Sequence, residues 1–201
     1  MRKFAIFSLL CYTVLLILSQ IAYAKPYRQI PATQPPRNPS PYYQVIYEHV
    51  LSITSRPDFS DNIAKNILHY CAEYKVDPLL ATALFTQESN FNSFALSPTG
   101  AIGVAQLEPE TARMLGVNPY STEQNIKGGI IYLSQQLKRF AAMNGWTATY
   151  AIAAYNAGPY AIISYNGLPP FWETYMHVER IFKIYVELAN RMRTQSQPVP
   201  L

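Results

Sequence analysis

Glu88 closes the apolar stretch PLLATALFTQES and is the one charged side chain between Asp77 and Glu108. A carboxyl group at the end of a buried helix, facing a cleft, is poorly solvated, and desolvation favours the protonated form that a general acid needs. Downstream, SPTGAIGVAQ carries Gly100 and Gly103, which permit tight turns and close approach of backbone to a ligand. The same stretch holds Ser97 and Gln106, neutral hydrogen-bonding groups suited to sugar hydroxyls and acetamido groups. A second neutral cluster, AYNAG, adds the phenol of Tyr155 and the carboxamide of Asn156 before Gly158. Such surfaces, polar but weakly charged, suit carbohydrate clefts. Glycosidic cleavage by acid catalysis is therefore the chemistry these types could do, but no aspartate follows Glu88 to serve as the usual second carboxylate. The residues alone leave Glu88 open as a solvated helix-end group and Tyr155 as a core tyrosine with a bonded hydroxyl.

The elements that must position these groups read as helices. Tyr43–Thr54 places Val45, Ile46, Val50 and Leu51 mostly on one side. Ser60-Asp61 offers a cap for a helix through Ile63, Ile67, Cys71 and Tyr74, and Asp77-Pro78 is a cap followed by proline at the first helical position. The helix that ends at Glu88 is apolar on nearly every face and is expected to be central. Pro98–Gln106 and Pro109–Leu115 are expected as short helices, the latter stopped by Gly116. STEQ at Ser121–Gln124 reads as a capping box opening a long helix to Phe140. Trp146–Asn156 and Phe171–Met192 complete the set, and no alternating strand pattern of useful length occurs. The expected architecture is a single all-α domain over residues 42–195, with a C-terminal tail at 196–201.

Met1-Arg2-Lys3, an apolar run to Ile21 and the small-residue site Ala22-Tyr23-Ala24 have the order of a secretory signal peptide, residues 1–24, cleaved after Ala24. An uncleaved segment would serve instead as a membrane anchor. Residues 25–41 hold six prolines and read as a linker, tethering the domain or strapped onto it. With Cys11 in the leader, Cys71 is alone in the mature chain, which excludes an internal disulfide and any cysteine metal pattern; it reads as a small buried hydrophobe. Losing Arg2 and Lys3 leaves fourteen basic residues against twelve acidic, a net charge of +2. No basic stripe interleaved with aromatics points to nucleic acid. The expected location is the periplasm or outside the cell, with no cofactor or metal.

The ordered motifs resemble the soluble lytic transglycosylases of the lysozyme-like superfamily, a fold shared with goose-type lysozymes. The family's glutamate-serine pair is matched by Glu88-Ser89, its S-x-x-G-A-x-G-L-M-Q by Ser97–Gln106, and its proline-threonine-alanine turn by Pro109, Thr111 and Ala112. An asparagine and glycine before Y-L are matched by Asn125, Gly129 and Tyr132-Leu133, A-Y-N-A-G by Ala154–Gly158, and a late proline, glutamate-threonine and tyrosine by Pro170, Glu173-Thr174 and Tyr175. The resemblance implies cleavage of peptidoglycan glycan strands between N-acetylmuramic acid and N-acetylglucosamine, with Glu88 acting as acid and then as base. It implies substrate contacts for Ser97, Gln106, Tyr155 and Asn156, and a supporting role in the cleft for Glu173. Two positions depart from the pattern. Ala105 replaces a methionine, which is expected to loosen a sugar subsite that Tyr160 would fill. Glu108 stands where an apolar residue or threonine is usual, either as a second cleft carboxylate or as a solvated turn residue.

A small enzyme of this kind is similar to members that open the wall locally for secretion, conjugation or pilus machinery, whose proteins would be partners. Two other readings are a goose-type hydrolase activating water, with Glu108 as the residue able to help, and a peptidoglycan-binding assembly protein of low activity.

Overall fold

A computed structural model describes residues 41–143 and 145–195. The leader expected at 1–24, nearly all of the linker at 25–41 and the tail at 196–201 lie outside them. Eight helices occur among the described residues: α1 Pro41–Thr54, α2 Pro57–Tyr74, α3 Pro78–Ser89, α4 Pro109–Leu115, α5 Thr122–Arg139, α6 Thr147–Ala157, α7 Pro159–Ser164 and α8 Trp172–Gln195. The described residues hold no strand, only the isolated bridges Leu96–Ile102 and Ile102–Leu107. The all-α expectation is met. Among the described residues no helix is long and apolar enough to cross a membrane.

α3 is the axis of the domain. Every residue from Leu79 to Thr86 is buried, because apolar or small side chains occupy all its faces. Its start is fixed as the sequence predicts: the Asp77 carboxylate accepts from the Leu79 backbone N–H at 2.9 Å, and Pro78 needs no intrahelical donor. Burial raises the Asp77 pKa, opposed by its hydrogen bonds from Leu79, Tyr185 and Leu80. The Tyr185 hydroxyl donates to Asp77 Oδ2 at 2.9 Å and so ties α8 to the head of α3. α1 and α8 flank α3, α2 packs on α1 and α5, and α6 joins α5 to α8. Cys71 is buried on α2, and burial pushes its thiol pKa well up, as befits a core residue.

Several local expectations need correction. α2 begins at Pro57 rather than at a Ser60-Asp61 cap, because proline already supplies the first helical residue. Ser60 is wholly buried and its hydroxyl donates to the Arg56 carbonyl at 2.8 Å. Pro98–Gln106 is a succession of turns, since Gly100, Gly103 and Gln106 take φ values of +90°, +74° and +46° that no right-handed helix contains. Gly158, at φ +80° and ψ +145°, ends α6 and turns the chain into the separate helix α7. The capping box is half formed: Ser121 Oγ accepts from the Gln124 N–H at 3.4 Å, while the Gln124 side chain accepts from Asn118 N–H at 2.8 Å. The last helix runs three residues beyond Met192, to Gln195.

The paired glycines of α5 let it approach the turn segment closely. A methyl group on Gly129 would stand 2.5 Å from Ala105 Cβ and 2.8 Å from Phe85 Cε1, and both residues are fully buried. Gly129→Ala is therefore expected to cost about 1–3 kcal/mol by overpacking. That loss occurs despite alanine's helix propensity, about 1 kcal/mol better than glycine's. The midpoint of denaturant unfolding measures it, and an unchanged or raised midpoint would show that the core has room.

Candidate active site

α3 delivers Glu88 to the mouth of the domain, and the chain then leaves the helix abruptly. Asn90 and Phe91 both take left-handed backbone, φ +49° and +59°, a conformation that bulky residues occupy at a cost of about 1–3 kcal/mol. Burial of the Phe91 ring, edge-on to His49 at 6.2 Å, holds the turn. Ser89 explains its place beside the glutamate: its hydroxyl donates to the Val104 carbonyl at 2.8 Å, tying the end of α3 to the turn segment.

That segment is clamped by Asn125, which is 1% exposed on α5. Its Oδ1 accepts from Ala105 N–H at 2.7 Å, and its Nδ2 donates to the carbonyls of Ile102 at 2.8 Å and Pro119 at 3.0 Å. Gly103 is required here twice over, by its positive φ and because any Cβ would meet Asn125 Nδ2 at 2.7 Å. Gln106 lies in left-handed backbone, and its Nε2 donates to the Gly103 carbonyl at 2.9 Å. Its donor is thus engaged in the turn, leaving its carbonyl oxygen as the end able to accept from a ligand. The Ser97 hydroxyl accepts from Ala101 N–H at 2.9 Å and bonds Thr99 Oγ1 at 2.9 Å, so it shapes the same segment.

Tyr155 reaches across from α6 and donates its hydroxyl to the Ala105 carbonyl at 2.8 Å. Burial pushes its pKa well up, and the charge of Glu88 followed by Tyr132 adds to the shift. Glu88 and the Tyr155 phenol therefore belong to one electrostatic neighbourhood, although the phenol's proton is directed at backbone. Tyr132 packs edge-on to Tyr155 at 5.1 Å. Its own pKa is raised, chiefly by burial, with Arg139 lowering and Glu108 raising it; the Glu108 residue itself is exposed.

Asn156 and Glu173 fall in a different part. They line a pocket of about 240 Å³ with Gln87, Trp172, Met176, His177 and Arg180. Asn156 Oδ1 accepts from the Thr174 hydroxyl at 3.0 Å, linking α6 to the start of α8. His177 connects the pocket to the acid. Its Nε2 lies 3.3 Å from Glu88 Oε1, with the two side chains 9% and 13% exposed. The N–H is not aligned on the carboxylate, and Nε2 is buried with no other hydrogen-bond partner. Sequence reasoning passed over this histidine. The signal was available: His177 stands four residues after Glu173 and therefore on the same helical face.

Ala105 does not border a cleft. It is wholly buried, its methyl against Gly129, and Tyr160 is 80% exposed, so neither the loosened subsite nor its filling by Tyr160 is found.

The transglycosylase SLT domain family model matches residues 65–174, more than half of the chain. A transglycosylase of Enterobacteria phage PRD1 is 40% identical over 88 residues, 43% of this chain and 31% of its own. Membrane-bound lytic murein transglycosylase F 1 of Alkalilimnicola ehrlichii is 43% identical over 89 residues, 43% of this chain and 18% of its own. The chain thus spans less than a third of the length of these relatives. Among solved structures, an inactive glutamate-to-glutamine variant of lytic transglycosylase Slt from Pseudomonas aeruginosa aligns with a TM-score of 0.52 at 25% identity, over 76% of this chain and 30% of its own. The soluble lytic transglycosylase SLT70 of Escherichia coli aligns with a TM-score of 0.56 over 78% of this chain and 30% of its own; at 22% identity it speaks to the fold.

Proposed function

Because the chain belongs to the transglycosylase SLT domain family and has its lysozyme-like all-α fold, we propose that it is a peptidoglycan lytic transglycosylase with Glu88 as its single general acid and base. The observation that carries the reading is the setting of Glu88: a carboxyl only 13% exposed at the end of a buried helix. An imidazole lies 3.3 Å from it, and its charge is felt by the Tyr155 phenol.

The chemistry needs one carboxyl group at two moments. Protonated Glu88 donates its proton to the oxygen bridging N-acetylmuramic acid and N-acetylglucosamine, and the C1–O bond breaks with the electron pair on the departing sugar. The resulting carboxylate takes the proton of the muramic acid C6 hydroxyl, whose oxygen closes onto C1 as a 1,6-anhydro ring. The carboxyl group is restored and no water is consumed. Retaining and inverting hydrolases need a second carboxylate as nucleophile or as base for water; here the attacking group belongs to the substrate. The substrate's 2-acetamido oxygen would steady the cationic centre. Gln106 and Ser97 would border the sugar from the turn segment, and Tyr155 would hold that segment to α6. Asn156 and Glu173 would line the neighbouring pocket.

Export by residues 1–24 would bring the 42–195 domain to the wall. Local opening of the wall for an envelope-spanning apparatus is the process we infer, and loss of assembly of such an apparatus on deletion would test it.

The enzymatic claim is tested by digesting purified sacculi and weighing the released muropeptides. Products lighter by one water, without reducing ends, are expected. Reducing ends would mean hydrolysis and would make Glu108 the next residue to substitute. Binding to sacculi with no release would identify an assembly protein.

A further inference from the structure

The geometry points to His177 as the positioning residue of Glu88: through its Nε2–H it holds Oε1, so that Oε2 is the oxygen that carries the proton to and from the substrate. The inference deepens the proposed transglycosylase reading and rests on it.

Three observations converge. Nε2 is 3.3 Å from Glu88 Oε1, a few tenths of an ångström beyond a charge-assisted hydrogen bond, so a small movement closes it. The imidazole is nine-tenths buried, and no other group satisfies that nitrogen. A buried donor left unsatisfied calls for a partner, and misalignment of the kind found here is usual for catalytic hydrogen bonds before substrate tightens them. His177 also lines the pocket beside the acid, so a ligand in that pocket would touch the ring.

With the ring in its Nε2–H tautomer, the donor serves both halves of the cycle. It donates to the carbonyl oxygen while Glu88 is protonated and to the carboxylate once the proton has left. The bond strengthens as charge develops, which lowers the barrier to breaking the glycosidic bond. It also restricts the carboxyl group to one rotamer, leaving Oε2 free toward the sugar. The other groups around the ring have been placed. Tyr155 of α6 donates to backbone, while Glu173 and Arg180 of α8 border the pocket. His49 of α1 is turned to Thr86, with which it shares a 2.9 Å hydrogen bond.

The experiment compares wild type, His177→Phe and His177→Gln for kcat, KM and melting temperature, using release of anhydro-muropeptides from sacculi. Phenylalanine keeps the packing and removes the donor; glutamine puts an amide N–H near the place of Nε2. His177→Phe is expected to lower kcat about 10- to 100-fold with KM little changed, the worth of one hydrogen bond to a charged group. His177→Gln should restore kcat to within about threefold of wild type, because its amide N–H replaces the lost donor. Equal kcat in wild type and His177→Phe, or a glutamine variant that is no faster than phenylalanine while melting like wild type, would overturn the assignment. If wild type itself releases reducing ends, the transglycosylase reading falls first, whatever the variants do.

Discussion

Glu88→Gln is expected to leave the domain folded and bound to sacculi while lowering release of muropeptides by about a thousandfold or more. The magnitude follows from the two jobs one group performs, since a positioned acid or base is worth about 10²–10⁴-fold. Glutamine occupies the same volume at the end of α3 and still offers Oε1 to the imidazole of His177, 3.3 Å from it in the native protein. The melting temperature is therefore expected to stay within a few degrees. Turbidity loss of sacculi, sedimentation with sacculi and a thermal melt separate the three properties. A variant that still solubilised the wall at near the native rate would place the acid elsewhere.

Asn125→Leu should have the largest effect on stability. Three backbone groups depend on that one side chain: the N–H of Ala105 and the carbonyls of Ile102 and Pro119. Leucine matches its size and satisfies none of them, and each buried group left without a partner costs about 1–3 kcal/mol. Relaxation of the turns recovers part of this, so a loss of about 3–5 kcal/mol is expected in chemical denaturation. Activity should fall further than the folded fraction does, because Asn125 sets the segment that carries Gln106 and receives the hydroxyls of Ser89 and Tyr155. A loss below about 1 kcal/mol with full activity would show that the segment holds itself.

The helices were legible wherever pattern and cap agreed. Asp77-Pro78 marked the start of α3 and its unbroken apolar run marked its burial; Pro109 and Gly116 bracketed α4. The turn segment 95–107 was not legible as structure, because its shape comes from an asparagine twenty residues away and from a glutamine in left-handed backbone. A local reading took its small residues for a helix. Ala105 was misread for a related reason: a motif gives the order of residues but not which way a side chain points, and this one points at Gly129. The polar groups of the site were legible as a set. Their division between Glu88 with Tyr155 and the pocket of Asn156 with Glu173 was not, nor was the histidine that joins them, since that meeting of α3 and α8 is made only by the tertiary fold.

The central claim is that the attacking oxygen belongs to the substrate and that Glu88 alone moves the proton. The most direct test is digestion of sacculi in water enriched in heavy oxygen, quenched by reduction and read by mass spectrometry. The account predicts muramic acid ends that carry no solvent oxygen and resist reduction, because the ring has closed through C6. Ends that carry one heavy oxygen and are reduced by the quench would contradict it, since water would then have attacked C1.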